Sequence, residues 1–119
     1  MKRRKCTKMK MKWFNCGRER EVDLLLVSPV IDGQAIILFK VEDGGTIDGR
    51  YVVGYSNAED LSSVEDGRLP DYYWGSYIPY GGASDVVEEV AFQRAAIVFA
   101  TKYHNICGSL LNEDEEGGE

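Results

Sequence analysis

The residues with the strongest claim to chemistry are Cys6, Cys16, His104 and Cys107, which are all the thiols and the single imidazole of the chain. His104-Asn105-Ile106-Cys107-Gly108 has the spacing and trailing glycine of a zinc knuckle, and four such ligands would close a tetrahedral site. The gap from Cys6 to Cys16 is too long for a second knuckle. Strand alternation also puts both thiols on the lysine-bearing side, where cations disfavour a metal. The sequence therefore predicts no metal and no cofactor, with the zinc-stapled domain as a lesser alternative. Cys107 beside His104 would suit nucleophilic catalysis, but no orienting third group follows from the sequence. Gly45-Thr46-Ile47-Asp48 imitates the middle of a calcium loop, yet that register puts Lys40 and Tyr51 at ligand positions. Glycine-rich phosphate motifs are absent and the carboxylates are scattered over turns, so a non-enzyme is expected.

A different chemistry resides in the stretch Asp66 to Ala83. It gathers Tyr72, Tyr73, Trp74, Tyr77 and Tyr80 among Asp71, glycine, serine and proline. Aromatic rings give large contact area at low entropic cost, and their polar tips tolerate partial wetting. Read as a long loop, this stretch is the expected binding surface. The opposing interpretation makes the rings a lid over the core.

Charge adds a second signal. Residues 2 to 12 hold seven of the fourteen basic residues, whereas the twenty acidic residues all lie from Glu19 onward. From Trp13 to the end, seven basic residues face twenty acidic ones, a net of −13. An acidic body repels nucleic acid and speeds encounter with basic protein surfaces. Direct nucleic-acid binding is not expected from it, although the basic arm (1–5) keeps that alternative open.

The elements that must position these residues form one α+β domain over residues 1–112, followed by an acidic tail, 113–119, expected to be disordered. Met9, Met11 and Trp13 alternate with lysines, which predicts a strand from about Thr7 to Asn15. Val22 to Val27 and Ala35 to Val41 are apolar on both parities and joined through Asp32-Gly33, a hairpin turn signal. Tyr51, Val53 and Tyr55 predict a fourth strand, and Asn57 to Val64 one or two helical turns. A helix from Asp85 to about Asn105 follows, with Asp85 as N-cap and Glu88 as capping-box partner. Its apolar residues, Ile97 and Phe99 among them, wrap most of its circumference, which predicts burial on more than one side and room for a homo-oligomer. The predicted fold is thus an antiparallel β-meander of about four strands packed on one long C-terminal helix.

No apolar run reaches the ~18 residues of a spanning helix, and lysines interrupt any leader-like segment, so no membrane partner is expected. The odd number of cysteines fits a reducing compartment, and the expected location is the cytoplasm. Together these features favour a small acidic binding protein, of the inhibitor or immunity type used by phages and mobile elements, acting on a nucleic-acid-processing protein. The alternatives are a small-molecule or nucleotide binder with a pocket walled by Tyr72, Trp74, Tyr77 and Tyr80, and the zinc-stapled domain with its arm on nucleic acid.

Overall fold

The computed structural model describes residues 9–15 and 17–118, with side chains described for 9–14 and 17–108. The basic arm, Cys6, Cys16 and the side chains of the acidic tail lie outside the described residues. Five antiparallel strands run in chain order: β1 (Met9–Asn15), β2 (Arg18–Val27), β3 (Gln34–Glu42), β4 (Gly49–Asn57) and β5 (Tyr73–Tyr80). A 3-10 helix (Ala58–Asp66) joins β4 to β5, and a short turn (Gly82–Ser84) leads into α1 (Glu88–Gly118). The α+β meander packed on a C-terminal helix matches the sequence pattern, with five strands in place of about four.

The fifth strand comes out of the stretch read as a loop. Ser76, Ile78 and Tyr80 do alternate along β5, opposite Val53, Tyr51 and Gly49. The period is hidden by a bulge, since Val53 pairs with Ser76 but Tyr55 pairs with Tyr73. Trp74 and Gly75 oppose the single Gly54, and Pro79 adds a second turn-like signal further along.

The central strand is buried on both faces, as its double-parity apolar pattern requires. Ile37, Phe39 and Val41 join Met11, Trp13, Val22, Leu24 and Val52 in one core, and Ile36 and Leu38 join Tyr51, Val53 and Tyr80 in the other. The β2–β3 hairpin closes through Asp32 and Gly33, both at positive φ (58° and 80°). Ile31 and Gln34 exchange backbone hydrogen bonds of 2.8 and 3.0 Å across it, the two-residue turn that Asp-Gly favours.

The first core is closed by the connection to β5. The Lys12 N–H donates to the Gly67 carbonyl at 2.8 Å and the Leu69 N–H donates to the Lys12 carbonyl at 2.9 Å, so residues 67–69 lie along the outer edge of β1. Tyr73 is already paired to β4 four residues later. Four residues reach at most about 14 Å, whereas a flat sheet would separate that edge from β5 by roughly 24 Å. The sheet must therefore curl around the first core, bringing Tyr72 within 6.5 Å of Trp13, ring centre to ring centre.

α1 covers the other face, over β3, β4 and β5. Two expectations are corrected here. Asp85 is not the helix N-cap: it closes the Gly82–Ser84 turn in the left-handed region, φ 59°, and the Ala91 N–H reaches back only to the Val87 carbonyl. The Ser84 hydroxyl donates to the Gly81 carbonyl and accepts from the Val86 N–H, a local turn that delays the helix. Glu88 serves a tertiary role instead of a capping box, pairing with Lys40 at 2.7 Å and accepting the Tyr51 hydroxyl at 2.9 Å. Nor is the helix buried on more than one side. Ala91, Ala95 and Ile106 are buried and Val98, Phe99 and Tyr103 partly so, but Ile97 is 66% exposed. The sheet covers a single stripe, and two alanines at the contact let the helix approach it closely.

Candidate binding edge and adjoining cleft

β5 is an edge strand whose backbone is poorly suited to pairing with another chain. Pro79 has no N–H, so its pair with Arg50 is of the non-hydrogen-bonded kind, and the backbone groups of Tyr77 and Pro79 turn outward. Tyr77 alone of these two has a donor to offer. With the bulge at Trp74-Gly75 on the other side, the edge is blunted against strand addition. Whatever docks here must grip side chains.

The side chains are held in two groups, one on each face of the edge. Trp74 is 76% exposed and sits at φ 52°, a conformation that costs a residue bearing a Cβ about 1–2 kcal/mol. Its ring stands edge-on to Tyr55 and Tyr73 at 5.8 and 5.5 Å, and those two rings stack on each other at 5.8 Å. The Lys102 ammonium from α1 donates to the Trp74 carbonyl at 3.0 Å and lies 4.9 Å from the centre of the Tyr55 ring. Gln34 donates to the Tyr73 hydroxyl. These contacts fix the bulge from the sheet and the helix while leaving the indole in solvent.

The second group is Tyr72 and Tyr77, with their hydroxyls 3.1 Å apart. Tyr72 packs flat over the bulge: a Cβ added at Gly54 or Gly75 would meet its ring at 2.8 or 2.9 Å. Burial, followed by the Tyr77 hydroxyl, pushes Tyr72 ionisation well above the usual tyrosine range. Tyr77 is 54% exposed.

Of the residues expected to bind, Trp74, Tyr77 and Asp71 are exposed, Tyr72 and Tyr73 are half-buried, and Tyr80 is a core residue. Tyr80 lies beside Tyr51 at 5.5 Å and under Lys40 at 5.7 Å. Burial opposes the Lys40 charge, but hydrogen bonding and attraction to Glu88 outweigh it and raise the pKa above the usual lysine value. Burial, then Glu88, likewise raises Tyr51. This cluster anchors the start of α1 to the sheet.

The pocket expected among Tyr72, Trp74, Tyr77 and Tyr80 does not form, because strand geometry sends these side chains to opposite faces. A cleft of about 640 Å³ opens instead beside β1, lined by Lys12, Trp13 and Phe14, by the 3-10 helix and by residues 68–72. Asp71 and Tyr72 belong to it. Phe14 in the cleft, and Lys102 and Tyr55 beside Trp74, are contacts that the sequence pattern does not single out. An apolar side chain on the wet parity of β1 was the available signal for Phe14.

His104 is exposed on α1 and Cys107 is half-buried one turn on, where its thiol raises the pKa of Tyr103. Cys6 and Cys16 lie outside the described residues, among which no group of three or more His, Cys, Asp or Glu is placed to hold a metal. No helix among the described residues is long and apolar enough to cross a membrane. Comparison with protein families, curated proteins and solved structures finds no match to this chain.

Proposed function

We propose that this chain is a non-enzymatic binding protein of the inhibitor or immunity type, acting in the cytoplasm. It docks on a protein that handles nucleic acid, using the side chains of the β5 edge within an acidic surface. The observation that carries the reading is Trp74: a large ring held in solvent, at a backbone angle that glycine would occupy without strain, and braced there by Tyr55, Tyr73 and Lys102. Strained residues whose surroundings over-determine them concentrate at recognition sites, and interface energy concentrates in tryptophan, tyrosine and arginine. The excess of carboxylates from Trp13 onward would steer the chain toward a basic surface such as nucleic-acid-handling proteins carry.

The test begins with affinity capture from the native host and proceeds to calorimetry with the purified partner. Trp74→Ala is expected to weaken binding by about 2 kcal/mol or more with the fold retained. Removing residues 1–5 is expected to change little. Added salt is expected to slow association more than it speeds dissociation. Binding abolished by the arm deletion and untouched by Trp74→Ala would refute the reading in favour of a polyanion ligand.

A further inference from the structure

The cleft beside β1 has a composition that selects its ligand. Three rings line it: Phe14, 73% exposed on the wet parity of β1, and Trp13 and Tyr72 from the first core. Glu59, Asp60 and Asp71 line it as well. Two cations also line it, but each has its own carboxylate nearby, Lys12 with Glu19 at 3.6 Å and Arg68 with Asp66 at 3.9 Å. None of Glu59, Asp60 and Asp71 has an ion-pair partner among the described residues. Among the described residues the cleft therefore combines three carboxylates without ion-pair partners and an exposed ring, over a volume that admits a long side chain and its backbone.

We propose that this cleft receives a basic chain segment of a partner protein, with an arginine or lysine side chain lying between the Phe14 ring and the carboxylates of Glu59, Asp60 and Asp71. A guanidinium or ammonium is attracted to a ring face and forms its strongest hydrogen bonds to carboxylates. A nucleotide or other phosphate would meet the same carboxylates as repulsion. Trp74 does not line the cleft, so this contact does not depend on the role proposed for β5.

The probe is a short Gly/Ser peptide carrying several arginines, compared with the same peptide in which citrulline replaces arginine. Binding is followed by fluorescence anisotropy and by backbone amide NMR on the full chain. Saturable binding of the arginine peptide is expected, with shifts at Phe14, Asp60 and Asp71, and about tenfold weaker binding of the citrulline peptide. Glu59→Gln/Asp60→Asn/Asp71→Asn is expected to weaken the arginine peptide about tenfold or more. Asp32→Asn/Asp85→Asn/Glu89→Gln removes the same charge from exposed sites elsewhere and is expected to cost less than about threefold, since only long-range attraction is lost. Trp74→Ala should leave peptide binding unchanged, so this result stands apart from loss of the partner at β5. Equal losses in the two triple variants, shifts confined to other surfaces, no binding, or tighter binding of inorganic triphosphate would each overturn the proposal.

Discussion

Replacing Trp74 by alanine and by glycine separates the backbone of the bulge from the indole it carries. Both substitutions remove the same ring. With 76% of the residue exposed, about a quarter of the roughly 250 Å² of a tryptophan is buried, worth about 1.5 kcal/mol at 25 cal/mol per Å². Both variants lose that amount, so it cancels between them. What remains is the cost of a Cβ at φ 52°, about 1–2 kcal/mol in favour of glycine, set against the greater freedom of glycine in the unfolded chain, about 0.5–1 kcal/mol. At ordinary strand positions only the second contribution operates and alanine is the more stable. Here the order inverts, and Trp74→Gly is expected to be more stable than Trp74→Ala by about 0.5–1 kcal/mol. Urea unfolding of the two variants side by side measures the difference, together with a rise in melting temperature of a few degrees for a chain of this size. A Trp74→Ala protein as stable as Trp74→Gly, or more so, would show that position 74 is not held in the left-handed region. Backbone strain at Trp74 would then be absent, whatever binding shows.

Other expectations follow from packing and titration. Gly49→Ala places a Cβ 2.5 Å from both the Val41 carbonyl and the Tyr80 hydroxyl, and should cost about 1–3 kcal/mol in chemical denaturation. Phe39→Ala empties the first core and should cost about 3–5 kcal/mol, whereas Ile97→Ala on the exposed stripe of α1 should stay within about 0.5 kcal/mol. Lys40, Tyr51 and Tyr72 all have raised pKa values in the fold. Each therefore contributes stability that is complete below its unfolded pKa, near 10, and is lost as pH rises through the folded value. Stability should hold level through neutral and mildly alkaline pH and decline above about pH 10. Part of the tyrosinate absorbance at 295 nm should then appear only with unfolding. A full tyrosine titration completed before any loss of structure would contradict the assigned contacts.

What could be read from the sequence was whatever a local pattern specifies. β3 declared itself because both parities are apolar, which only a strand covered on two faces requires, and the β2–β3 turn because Asp32-Gly33 supplies two positive φ angles in a row. The direction of α1 was less legible. Apolar residues surround it, so periodicity did not say which stripe the sheet would take, and the large Ile97 looked a better core residue than Ala91 or Ala95. Packing against a curled sheet reverses that preference, because close approach rewards small side chains and leaves the large one outside. Asp85 and Glu88 had the spacing of a capping box, but Ser84 captured the turn and Lys40 captured the glutamate. The cleft was not legible at all, since β1, the 3-10 helix and residues 68–72 meet only after the sheet curls.

β5 shows how the same irregularity hides an element and creates a surface. A regular strand here would have alternated visibly and would have presented a continuous row of backbone groups, open to strand addition. The bulge and Pro79 remove both properties at once. The extra residue in the bulge must leave the ladder, and its backbone angle favours glycine, so the fold itself has no use for a tryptophan at position 74. Tyr55 and Tyr73 already stack without it, Tyr72 already covers Gly54 and Gly75, and Lys102 holds the carbonyl and not the ring. The indole thus contributes only about 1.5 kcal/mol to the stability of the domain, a loss the fold can absorb, which makes its effect on binding and its effect on folding separable by substitution. A ring that held the fold together would lose both together.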